Sequence, residues 1–84
     1  MKRPRAAPRQ TYILLPGAWM GAWIWQFVIP RLQSAGHRAI AVCFGGVGER
    51  ADELSPQIGL ESCVGDVQAV FDRHVEGRAI LVGH

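Results

Sequence analysis

Cysteine is scarce in this chain: Cys43 and Cys63 are the only two, and they have no C-x-x-C spacing. That excludes a disulfide-stapled scaffold and a thiolate zinc site, and the pair reads as free thiols of a reducing, cytoplasmic compartment. His37, His74 and His84 are widely scattered, so no metal or other cofactor is expected. Charge is also thin, at 19% of residues, and none falls between positions 12 and 30. Much of the positive charge sits in Lys2, Arg3, Arg5 and Arg9, within a Pro- and Ala-rich stretch. Residues 1–10 are therefore read as a disordered basic arm, and residues 11–84 as the folded part. Without the arm the chain is slightly acidic, which argues against a nucleic-acid-binding face.

What is plentiful is apolar side chain, at 49% of 84 residues, enough for one small folded unit. The uncharged run over 12–30 raises a membrane-anchored or exported segment as an alternative. Pro16-Gly17, Gly21 and Pro30 punctuate that run, and Trp19, Trp23 and Trp25 would lie mid-bilayer, where Trp is disfavoured. The reading carried forward has no membrane partner.

Tyr12-Ile13-Leu14-Leu15 is a short apolar run stopped by Pro16-Gly17, a buried strand. A loop over 16–21 leads to a helix over about 22–35, with Trp25, Val28, Ile29 and Leu32 at helical spacing and Gly36 as its stop. Pro30 requires either that the regular helix starts near it or that the helix kinks there. A second strand is expected over 38–44 and a polar loop over 45–59. Leu60, Val64, Val67, Val70 and Phe71 then share one face of a second helix closing near His74, with Glu61 or Ser62 assisting its start. Gly65 inside that helix suggests close packing. A last strand covers 79–82. Continuous apolar strands joined by helical crossovers imply an α/β fold with a parallel, doubly wound sheet.

Two glycine patterns carry candidate chemistry. Ala79-Ile80-Leu81-Val82-Gly83-His84 is a strand running into Gly-x, the opening of a Gly-x-Ser-x-Gly nucleophile elbow. Gly46-x-Gly48-x-x-Ala51 matches a loose dinucleotide fingerprint, so a Rossmann-like nucleotide-binding module is an alternative. That fingerprint must open a helix directly, and Ser55-Pro56 and Gly59 interrupt it.

The run Pro16-Gly17-Ala18-Trp19-Met20-Gly21-Ala22-Trp23-Ile24-Trp25 resembles the oxyanion-loop segment of α/β hydrolases. It is most similar to the branch of plant methylesterases, hydroxynitrile lyases and small bacterial esterases. The likeness continues through Ala35-Gly36-His37-Arg38, Gly46-Val47-Gly48-Glu49-Arg50, Leu54-Ser55-Pro56 and Leu81-Val82-Gly83-His84, covering about residues 11–84. It implies a partial hydrolase sheet with the first strand in the middle, cut at the nucleophile elbow. It also implies carboxylic-ester hydrolysis by Ser-His-Asp chemistry on a small-molecule ester. Carried over residue by residue, Ala18 donates its backbone N–H to the oxyanion, and Gly17, Trp19 and His84 lie beside the substrate. His84 is then the variable residue of the elbow, not the catalytic base. The nucleophile would follow it directly, with acid and base later still, so this chain alone is expected to be inactive.

Two departures stand out: Pro16 occupies the place of a usual His, and Cys63 that of another. Trp19, Trp23 and Trp25 read first as core and loop packing. Asp66 and Asp72 read as solvated or capping, and Glu49-Arg50 as an ion pair pinning the long loop. The outer strands of so small a sheet invite pairing, so the isolated chain is expected to self-associate.

Overall fold

Thr11–Leu15 forms the central strand, β1, and Pro16, which has no N–H to donate, ends it. The computed structural model describes residues 8–84; positions 1–7 of the expected arm lie outside the described residues. Gln10 already belongs to the sheet margin, since its carbonyl accepts the Arg38 N–H at 2.9 Å. β2, Arg38–Ala41, and β3, Ile80–Gly83, flank β1 on either side, both parallel to it. Ile13 is level with Ile40 on one side and Leu81 on the other. The strand order is second, first, third, as the resemblance implies.

Strand alternation sends Ile13 and Leu14 to opposite faces of the sheet, and both are buried. A strand buried on both faces matches its unbroken apolar run. On one face Ile13 joins Val42 and Val75, with Leu15, Phe44, Val70 and Phe71 packed around them.

The expected helix over 22–35 divides in two. Ala22–Trp25 is a 3₁₀ turn, and the α-helix proper, α1, covers Ile29–Ser34. Pro30 sits in its first turn, where a missing N–H is harmless. α1 ends in a Schellman motif: Gly36 donates to the Gln33 carbonyl and His37 to that of Leu32, both at 3.0 Å, with Gly36 at φ +89°.

β2 is shorter than the expected 38–44. Its pairing ends at Leu14–Ala41 because Pro16 has already stopped β1. The loop over 45–59 contains a kinked 3₁₀ segment, Gly48–Glu53, that the sequence pattern did not announce.

The second α-helix, α2, covers Leu60–His74, with the expected bounds. Ser62 caps it: its hydroxyl accepts the Gly59 N–H and donates to the Gly59 carbonyl, each at 2.8 Å. The expectation of close packing at Gly65 is corrected: a Cβ there would meet nothing within 4 Å. Gly65→Ala is therefore expected to stabilise the fold by roughly 0.5–1 kcal/mol through helix propensity alone. The check is a higher urea midpoint with an unchanged denaturation slope.

Two alternative readings meet corrections here. The apolar run over 12–30 is a strand, a loop, a 3₁₀ turn and the first residues of α1. Among the described residues no helix is long and apolar enough to cross a membrane. Gly48 opens a short 3₁₀ segment, and the next α-helix starts only at Leu60. The nucleotide fingerprint thus lacks the helix N-terminus that would face a pyrophosphate.

Candidate functional site

Parallel strands deliver their C-terminal ends to one edge of the sheet. β1 lies between β2 and β3, so the chain switches sides there, the position at which open parallel sheets place their ligands. The loop over 16–21 leaves β1 there, and His84 follows β3 there. The His84 N–H donates to the Leu15 carbonyl at 3.2 Å, so the two segments lie side by side.

The sequence candidates are brought together at this point. A Cβ on Gly17 would lie 2.8 Å from His84 Nδ1, so the absence of a side chain is what lets the His84 ring approach. That ring also stands edge-on to Trp25, with centroids 6.3 Å apart. The Met20 N–H closes a turn onto the Gly17 carbonyl at 3.1 Å. Ala18 and Trp19 are its central residues, and Trp19 takes φ +65° at the position where a type II turn favours glycine. A bulky residue held in that region marks local strain imposed by its surroundings. Ala18 is exposed, and among the described residues its N–H meets no acceptor.

The tryptophans divide. Trp25 is buried, as expected of core packing, whereas Trp19 is 81% exposed and Trp23 57%. Of the expected core and loop packing, the core part holds for Trp25, while Trp19 and Trp23 stand largely in solvent. The Trp25 indole Nε1 is buried with no partner among the described residues, an arrangement costing roughly 1–3 kcal/mol.

Behind the loop lies a polar network that sequence reasoning assembled wrongly. Glu49 and Arg50 do not pair. Arg50 binds Glu53 through Nε at 2.6 Å and Asp66 through Nη1 at 3.3 Å, and donates to the Cys43 carbonyl at 2.9 Å. Asp66 is thus no solvated residue: it also accepts the Gly45 N–H at 3.0 Å. Asp72 is exposed and accepts from Gln68, as expected of a surface residue. Glu49 turns the other way and accepts from the Ala22 N–H at 3.1 Å, the Trp23 N–H at 3.3 Å and the Cys43 thiol at 3.1 Å. The thiol bond, and then the backbone donors, hold the Glu49 carboxyl below its ordinary range. Its contribution to stability is therefore present above the ordinary carboxylate range and lost as pH falls through the depressed value. Partial burial, and then Glu49, push the Cys43 thiol up.

Cys43 and Cys63 are both free. Both are expected to alkylate after denaturation without prior reduction. In the folded chain Cys43 should react several-fold more slowly than in denaturant, because the thiolate is the reactive form. Mass-resolved alkylation at fixed pH checks both statements.

No family model matches the chain. It is 34% identical over 73 residues to the carbendazim hydrolyzing esterase of Nocardioides sp. (strain SG-4G), covering 87% of this chain and 30% of that protein. It is 30% identical over 82 residues to the polyneuridine aldehyde esterase of Rauvolfia serpentina, covering 94% of this chain and 30% of that one. A crystal structure of polyneuridine aldehyde esterase superposes with a TM-score of 0.74 at 29% identity, over 90% of this chain and 30% of the other. The chain thus spans about a third of the length of the proteins it matches.

Proposed function

We propose that this chain, which belongs to the α/β hydrolase family, is the part of an esterase domain that carries the oxyanion loop and the strand leading to the nucleophile. The observation that carries the reading is the juxtaposition of Gly17 and His84 at the C-terminal edge of the sheet. Ester hydrolysis passes through a tetrahedral oxyanion, and preorganised N–H donors there lower its barrier. The Ala18 N–H is one such donor, and the amide following the nucleophile is the other. Gly17, Trp19 and His84 line the substrate's approach. In the family order a serine nucleophile follows His84, and acid and base come later, so these 84 residues do not turn over an ester by themselves. The substrate class is a small carboxylic ester. The two free cysteines support a reducing, cytoplasmic location.

The test is a chimera in which residues 11–84 replace the matched stretch of the carbendazim hydrolyzing esterase. Hydrolysis of a short activated ester by the chimera supports the reading, and a folded but inactive chimera refutes it.

Association of the isolated chain is part of the same proposal. β2 and β3 each present an outer edge with no strand partner among the described residues. A cavity of about 240 Å³ between α2 and β3, lined by Val67, Phe71, Ala79 and Leu81, is open, and Leu60, Val64 and Leu81 are exposed. The weight-average mass in sedimentation is expected to rise with concentration. A monodisperse monomer at all concentrations would overturn this.

A further inference from the structure

We propose that Glu49 is a positioning residue for the loop after β1: its carboxylate clamps the backbone at Ala22 and Trp23 and so holds the turn over residues 17–20 in place. The clamp's functional meaning rests on the oxyanion-loop reading of Ala18. The 3₁₀ turn at Ala22–Trp25 has no side-chain cap of its own, and its cap residue is Gly21. The two N–H groups that such a turn leaves open are instead taken by one carboxylate from far along the chain. Glu49 Oε2 accepts from Ala22 at 3.1 Å, and Oε1 accepts from Trp23 at 3.3 Å. Hydrogen bonds onto an ionised acceptor are the stronger kind, and two donors on two oxygens fix an orientation as well as a distance.

The carboxylate is itself held. The Cys43 thiol donates to Oε2 at 3.1 Å, so three donors converge on one side chain. Its backbone is fixed on either side. Gly46 donates to the Arg50 carbonyl at 2.8 Å and Arg50 to that of Val47 at 2.9 Å, while the Arg50 side chain is tied to Glu53 and Asp66. Space around the clamp is closed by glycine. A Cβ on Gly21 would lie 2.8 Å from Glu49 Oε1, and a Cβ on Gly48 would run into the Gly21 backbone. Two loops, one after β1 and one after β2, therefore meet backbone to backbone, with a carboxylate between their polar groups. Residues 17–20 lie between Leu15, whose carbonyl accepts the His84 N–H, and this clamp at Ala22 and Trp23. The strained Trp19 conformation between those points is the kind that persists only where its surroundings over-determine it.

The experiment is amide hydrogen exchange on the full chain. In Glu49→Ala, exchange at Ala22 and Trp23 should rise by roughly ten-fold or more, while the β1 amides of Ile13 and Leu14 keep their rates. Glu49→Gln keeps one acceptor oxygen and should fall between. Cys43→Ala leaves both backbone bonds and should change these amides least. In the esterase chimera, Glu49→Ala should lower kcat with little change in KM, and Glu49→Gln should recover part of it. A merely structural tie would not separate the two constants this way. Unchanged exchange at positions 22 and 23, or an equal rise throughout β1, overturns the clamp even where the chimera is active. An inactive chimera with Glu49 intact refutes the esterase reading and leaves the exchange experiment decisive for the clamp.

Discussion

The purified chain is expected to release no product from a short activated ester above the buffer rate, whereas the chimera carrying residues 11–84 is expected to turn it over. The reason is chemical division of labour. Nucleophile, base and acid act as a unit in serine hydrolases, and removing it lowers kcat by about 10⁶-fold. On the proposed reading this chain contributes one oxyanion donor and the wall around it, and a donor without a nucleophile has no intermediate to stabilise. The donor can be tested by itself in the chimera. Replacing the residue 18 amide by a backbone ester removes the N–H and keeps the side chain. Loss of a single oxyanion donor lowers kcat by about 10²–10³-fold. Product release that tracks the purified chain would overturn the inactivity, and an unchanged kcat in the ester variant would remove Ala18 from the site. Because the Ala18 N–H meets no acceptor among the described residues, the replacement breaks no bond in the ground state. Any loss is therefore read in the transition state.

Sequence signals located the parts of this fold that rest on local chemistry. Proline stops β1, glycine stops α1, and a single apolar face with Ser62 at its start delimits α2. The sequence failed where a neighbour decides. A helix continued through residue 30 would drive the proline ring into the carbonyl of Gln26, so the 22–35 run breaks into a 3₁₀ turn and a short helix. Cys43 and Phe44 have the composition of strand residues, but β1 ends before them and leaves them nothing to pair with. The glutamate and arginine at 49 and 50 look like a pair when written side by side. Consecutive side chains do not face each other on a helical segment, and the i,i+3 partner Glu53 takes Arg50 instead. Of the candidate site, Gly17, Ala18, Trp19 and His84 are proposed on a family resemblance alone, and the structure brings Gly17 and His84 side by side. Glu49 as a backbone acceptor was not legible, because its partners lie more than twenty-five positions away.

The contact between the two loops predicts a large effect at a residue with no side chain. Gly48→Ala is expected to destabilise far more than Gly36→Ala, although both glycines hold positive φ, +54° and +89°. The conformational term is shared: an L-residue in the left-handed region costs roughly 1–2 kcal/mol. At Gly36 nothing lies within 4 Å of the new Cβ, so that term stands alone. At Gly48 the Cβ meets the Gly21 Cα and N, which are backbone atoms and cannot rotate away as a flexible side chain would. Forcing an added carbon into a closed contact costs a further ~1–3 kcal/mol. It also pushes Gly21 off Glu49, so the Ala22 and Trp23 bonds should weaken along with packing. The comparison is made by urea midpoint at one fixed chain concentration, because association shifts apparent stability. Equal midpoints for the two variants would mean that the loops are not in the contact described, and the clamp would lose its geometric basis.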